Sequence, residues 1–192
     1  MLKTLRRHGF VTHSFDYWVS MKTFGQIKMR LKKRIIQLAE RGYYQLIGHS
    51  LGGVLIRAAL NELSPTVRRP THVYLLGSPM RASTLAQRLQ SNPLFRLLTG
   101  DCGAMLGSEK RMQEIARIDI PTTAVIGTKS IALTRRWFTQ QPNDGVVSHQ
   151  ETYADWLHQE IQVPLIHSVL PFSQSIAELI VQLVTQTSTP DS

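Results

Sequence analysis

The chain has 192 residues, of which 42% are hydrophobic and 18% charged, the proportions of one ordinary globular domain and not of a disordered or multidomain chain. No apolar run reaches the ~20 residues that a membrane-spanning helix needs, and the charged start lacks the apolar core of a signal peptide, so a cytoplasmic location is expected. A single cysteine, Cys102, excludes an internal disulfide, and the formal charge of +9 sits at one end: ten Lys or Arg face two acids up to Arg41, and twelve face eleven thereafter.

The first β-rich run is "GFVTHSFDY", from Gly9 to Tyr17. A basic segment, "KMRLKKRIIQLAER", follows it. Phe24, Ile27, Leu31, Ile35 and Leu38 mark one helical face there, while Lys28, Arg30, Lys32, Lys33 and Arg34 fall mostly elsewhere. A solvated outer face of a packed helix explains this charge. An anionic membrane surface is the peripheral partner it would otherwise suit, and without aromatic interleaving or a motif no nucleic-acid partner is expected.

"YYQLIGHSLGG" comes next, a β-rich run that stops at Gly48, then Ser50, then Gly52. A helix follows from about Leu51, with Val54, Leu55, Ala58 and Ala59 on its inner side. "THVYLLG" is the third run and "TTAVIG" the fourth. The roughly forty residues between them, 79–118, are too many for a plain loop and predict a cap-like insertion within a single domain spanning 1–192. Leu94, Phe95, Leu97, Leu98, Met105 and Leu106 are its candidate apolar lining, or simply its own core. "QPNDGVVSHQ" carries Asp144, and the fifth run, "IQVPLIH", ends on His167. A last helix over 175–186 has a candidate capping box in Ser175 and Glu178, and a frayed end is expected in "TSTPDS". β-rich runs alternating with helical periodicity predict an α/β fold: a mostly parallel sheet with helices on both faces and right-handed crossovers.

A serine hydroxyl needs a base to take its proton, and the base needs a partner that fixes its tautomer. Ser50 stands between a strand and a helix, where a sharp turn can raise its Oγ; glycines at 48 and 52 relieve crowding, and the Leu51 N–H lies at a helix amino terminus, suited to a developing oxyanion. Asp144 and His167 each follow a later strand, on the same carboxyl edge of the sheet. Asp119 and His72 precede their strands and belong to the opposite edge, Asp101 lies inside the cap, and His149 and His158 fall in the final connection. Asp16 is the substitute carboxylate.

With "GHSLGGVLIRAAL", "LLGSPMRASTLAQRL", "VIGTKS", "PNDGVVSHQET" and "PLIHSVLPFS", the chain resembles the α/β-hydrolase superfamily, and within it bacterial lipase- and esterase-like proteins, from about Gly9 onward. The resemblance implies Ser50 as nucleophile, His167 as base and then acid, Asp144 as orienting carboxylate and Leu51 as one main-chain oxyanion donor. It implies a small-molecule or lipid ester as substrate. It also implies an apolar strand and a His-Gly loop before "LKTLRRHGF" that this chain lacks, so that relative to the family it reads as truncated at the amino end. That strand would lie between the "FVTHSF" and "YYQLIG" runs. Either the first run shifts across, another chain fills the gap, or the sheet is disrupted.

Two functions follow. One is a serine esterase working through an acyl-enzyme; the other is a truncated relative with little catalysis that serves as a binding or interaction module. Neither needs a cofactor, and the histidines and the cysteine have no metal-ligand spacing.

Overall fold

The computed structural model describes residues 1–135, 137–138 and 141–187. Before the sheet come α1 (Leu2–Arg7) and α2 (Phe24–Glu40). Then β1 (Gln45–His49), α3 (Leu51–Asn61) and β2 (His72–Leu76) follow. The inserted segment folds as α4 (Thr84–Leu89), α5 (Pro93–Gly107) and α6 (Glu109–Gln113). After it come β3 (Thr122–Gly127), α7 (Ala132–Arg135), α8 (His149–Thr152) and β4 (Gln159–Val163), then a 3-10 turn, His167–Phe172, and α9 (Gln174–Thr187). The end expected to fray lies almost wholly outside the described residues.

The four strands form one parallel sheet in the order β1-β2-β3-β4, with Gln45 opposite His72, Val73 opposite Thr122 and Thr123 opposite Gln159. Because side chains alternate along a strand, β2 serves two cores. Val73 and Leu75 pack with Ile27, Ile35, Val54 and Leu55 of α2 and α3, while Tyr74 and Leu76 pack with Leu5 of α1 and Ile176 and Ile180 of α9. Helices therefore cover both faces, and the strands read as nearly continuous apolar runs for that reason.

α2 is fixed at its start. Thr23 accepts the Gln26 N–H and the Gln26 side chain accepts the Thr23 N–H in a capping box. Asp101 of α5 accepts the Phe24 N–H at 2.8 Å and pairs with Arg111 through two hydrogen bonds. The Arg111 bond, helped by the Phe24 N–H, holds the Asp101 carboxyl below its ordinary range. Asp101 thus clamps α2 to the inserted helices. α3 is buried nearly all round: even Arg57 is enclosed, donating to the Ile115 and Pro79 carbonyls and lying over the Trp156 ring. Burial pulls the Arg57 guanidinium down to about 10.

Three expectations are corrected. The run "GFVTHSFDY" forms no strand, and among the described residues no main-chain group from Val11 to Tyr17 makes a hydrogen bond. A strand needs an adjacent edge, and a groove separates this run from β1. The fifth run pairs as Gln159–Val163, two residues earlier than expected; Pro164 stops it, having no N–H to give the ladder. Finally, Ser175 lies inside α9, and Ser173 is the residue whose hydroxyl accepts the Ile176 N–H, while Glu178 accepts from Gln174. Among the described residues, no helix is long and apolar enough to cross a membrane.

The cap position at α9 is open to direct measurement. In urea unfolding, Ser173→Ala is expected to cost about 1 kcal/mol, the usual loss at a helix amino cap, and Ser175→Ala clearly less. A larger loss at Ser175 would return the cap to that residue.

Candidate functional site

Ser50 stands between β1 and α3 with φ 52° and ψ −123°, and among the described residues no other non-glycine has a positive φ. Such a conformation costs about 1–3 kcal/mol and persists only where its surroundings enforce it. Here the enforcement is a close approach of the turn to the strand it leaves. A Cβ on Gly48 would come within 2.6 Å of the Gly53 main chain, and one on Gly53 within 2.1 Å of the Ser78 Oγ. Gly52, expected to relieve crowding, has room, since its nearest neighbour would be the Tyr17 hydroxyl at 3.7 Å. The packing that needs glycine falls on Gly48 and Gly53. The Ser50 N–H donates to the Leu76 carbonyl at 2.9 Å, which ties the turn to β2. Leu51 begins α3, and its N–H has no acceptor among the described residues, as expected in a first helical turn.

Asp144 and His167 come from loops beyond β3 and β4 and meet at the carboxyl edge of the sheet. His167 Nδ1 lies 2.7 Å from Asp144 Oδ2, with the two residues 6% and 1% exposed. The other carboxylate oxygen, Oδ1, accepts the Val146 and Val147 N–H groups, and the Asp144 carbonyl accepts the His167 N–H. Held this way, Oδ2 of the carboxylate is placed to accept a hydrogen bond from the His167 Nδ1–H, with Nε2 as the ring's other nitrogen. Two glycines make room for the pair. At Gly77, φ 51°, a Cβ would come to 3.0 Å from both Asp144 Oδ2 and His167 Nδ1, and at Gly127 one would come to 2.7 Å from the Asp144 Cβ. The runs "THVYLLG" and "TTAVIG" end in glycine where this pair must fit.

His49 is the residue that the sequence reasoning missed. Its Nε2–H donates to the His167 carbonyl at 3.1 Å and its ring lies 4.6 Å from the His167 ring, tilted by 45°. Its place between Gly48 and Ser50, at the carboxyl end of β1, was the signal available. Burial first, and then the charge of His167, hold the His49 imidazole down to about 4. Ser50 Oγ has no hydrogen-bond partner among the described residues.

The remaining candidates fall elsewhere. Asp16 is exposed. His72 bonds Thr123 at the amino edge, His149 pairs with Glu160, and His158 is exposed. Of the expected cap lining, Leu94, Leu97 and Leu98 face solvent, Leu97 at 72% exposure, and Met105 is core. Phe95 and Leu106 are half-buried. None of these six lines the large apolar groove of about 960 Å³, which runs instead along β1 and includes Tyr17, His49 and Gly52. Burial, with Cys102 nearby, raises the Tyr17 phenol to about 12. Among the described residues no group of histidine, cysteine and carboxylate side chains is placed to hold a metal.

Comparison with known proteins places the fold. No family model and no curated sequence matches the chain. Among solved structures it is similar to the Bacillus licheniformis lipase BlEst2 in its mature form, at 17% identity and a TM-score of 0.67, over 99% of this chain and 84% of the lipase. It is similar to a metagenomic carboxyl esterase at 14% identity and a TM-score of 0.70, over 86% of this chain and 57% of the esterase. Phospholipase PlaB from Legionella pneumophila matches at 16–17% identity, with a TM-score of 0.59 over 79% of this chain and 39–40% of the phospholipase. The chain has the α/β-hydrolase fold, and it spans little more than half of the esterase and less than half of the phospholipase.

Two outcomes test the site's construction. Gly53→Ala should destabilise by at least about 1–3 kcal/mol, as overpacking does, whereas Gly52→Ala should be near neutral; thermal unfolding of the two variants separates them. His49 is neutral in the folded protein down to about 4 and charges near 6.5 when unfolded, so the stability it contributes is complete above 6.5 and is lost as pH falls through 4. The fall in unfolding free energy between pH 7 and 4 should therefore be shallower in His49→Gln than in the wild type, and parallel curves would refute the assignment.

Proposed function

We propose that the chain is a serine hydrolase acting on a carboxylic ester. The observation that carries this reading is the buried 2.7 Å contact between His167 and Asp144, on the same sheet edge as the strained turn at Ser50. In the proposed reaction Ser50 Oγ attacks the ester carbonyl carbon as His167 Nε2 takes the hydroxyl proton. The carbonyl oxygen becomes an anion beside the Leu51 N–H and the amino end of α3, where the helix dipole and an unbonded donor favour negative charge. Collapse breaks the bond to the alcohol, which leaves with the proton from His167, and an acyl group stays on Ser50. Water, losing a proton to His167, then attacks the acyl carbon; the bond to Ser50 Oγ breaks as His167 returns that proton to Oγ, and the acid is released. Asp144 keeps Nδ1 protonated throughout and stabilises the charge on the imidazole. The lipase, esterase and phospholipase neighbours support ester chemistry at the level of the fold.

A second reading, a binding module with little catalysis, is favoured by one specific observation. Ser50 Oγ has no hydrogen-bond partner among the described residues, so it is not held against the imidazole of His167. The two readings separate on a fluorophosphonate probe: the esterase reading expects covalent labelling of wild type and none of Ser50→Ala. Asp144→Asn should lower kcat on a p-nitrophenyl ester by about 10²–10⁴-fold, the worth of a correctly held general base. Folded wild-type protein that takes up no label would leave the binding module as the function.

A further inference from the structure

A second cavity, of about 380 Å³, lies against α3 between the segments 79–81, 112–117 and 153–156. None of its lining residues belongs to the site built on Ser50, Asp144 and His167. Its most enclosed charge is Arg57, only 3% exposed. Burying a cation is costly unless an anion and hydrogen-bond acceptors compensate it, and here the compensation is incomplete. Nη2 donates to the Ile115 carbonyl at 3.1 Å and Nη1 to the Pro79 carbonyl at 3.5 Å, and the guanidinium lies over the Trp156 ring. The Nε–H is buried without an acceptor, and among the described residues no other buried side-chain nitrogen or oxygen is left so. Among those residues, too, no carboxylate pairs with Arg57.

The two carbonyls that hold Arg57 also gather its neighbours. Arg81 and Arg117 each stand two residues beyond one of them, and both reach the cavity from its exposed rim. Asp155, the one acid in the lining, is exposed and pairs with none of the three arginines. The lining therefore carries three positive charges against one negative. Exposed arginines alone would mean little, but these two flank a buried cation that lacks a counter-ion, where attraction to an anion is screened least. Between the charges the wall is apolar, with Met80, Met112 and Ile115 buried and Trp156 half-buried. The volume suits a small ligand.

We propose that this cavity binds a small organic anion, a carboxylate or phosphate head on an apolar body, with the head facing Arg57, Arg81 and Arg117 and the body against Met80, Met112 and Trp156. The site is separate from the ester chemistry and stands whether or not Ser50 is a nucleophile.

The test titrates the full chain, in a calorimeter at low salt, with phenyl phosphate, benzoate, neutral benzyl alcohol and inorganic phosphate. One of the two organic anions is expected to bind with a Kd below about 1 mM, and the tighter one identifies the head as phosphate or carboxylate. Benzyl alcohol should bind at least about tenfold more weakly for want of a charge, and inorganic phosphate more weakly than phenyl phosphate for want of an apolar body. Arg81→Gln and Arg117→Gln, both exposed, should keep the fold and each weaken the organic anion by about tenfold. Ser50→Ala should bind it as the wild type does. Arg57 also holds two loops, so it is followed without substitution: its Nε–H resonance should shift as the anion is added. The proposal is overturned if neither organic anion binds up to about 10 mM, if benzyl alcohol or inorganic phosphate binds as tightly as phenyl phosphate, if the double variant Arg81→Gln, Arg117→Gln keeps wild-type affinity, or if the Arg57 resonance is unmoved at saturation.

Discussion

The site depends on the near contact between β1 and the first turn of α3. With hydrogen in place of a side chain at Gly48 and Gly53, the helix starts almost against the strand it leaves, and the chain can turn back only through a residue of positive φ. That residue is Ser50. The strain on one backbone unit is held by burial of the whole of α3, which packs against α2 and β2, and the Ser50 N–H bond to Leu76 anchors the turn to the centre of the sheet. Hydrophobic packing of a helix thus fixes a polar side chain in a conformation it would not adopt alone.

The partner groups reach that turn by a different route. Asp144 lies far along the chain from the end of β3, and His167 follows a proline-terminated β4, so neither stands on a strand. Their positions come from a mutual lock: two main-chain N–H groups on one carboxylate oxygen, the imidazole on the other, and the Asp144 carbonyl on the His167 N–H. Gly77 and Gly127 give that lock its space at the ends of β2 and β3. His49 closes it from β1, through a hydrogen bond to the His167 main chain and a ring contact that a charged imidazole would spoil.

Beside this well-packed edge the molecule leaves another open. The two edges of the sheet differ in kind: β4 exposes Gln159 and Gln162 and carries Glu160 beside His149, the charged and polar character that deters pairing with other chains, whereas β1 opens into an apolar groove walled by both cores. The same strand therefore ends at the candidate nucleophile and borders the cavity, and Tyr17 and Gly52 lie where the two meet.

By itself the sequence determined what local pattern controls. Apolar periodicity located α2, α3 and α9, short β-rich runs located β1, β2 and β3 to within a residue or two, and chain order put Ser50, Asp144 and His167 each after a β-rich run of one parallel sheet. Each of these depends on neighbours within a few residues. What the tertiary structure decided depends on neighbours distant in sequence. The run from Gly9 to Tyr17 has strand composition, yet a strand exists only against an available edge, and the cavity denies it one. Gly53, not Gly52, is the crowded glycine because Ser78, from another strand end, fills the space. His49 gained its place in the site only when a loop more than a hundred residues away folded over its ring.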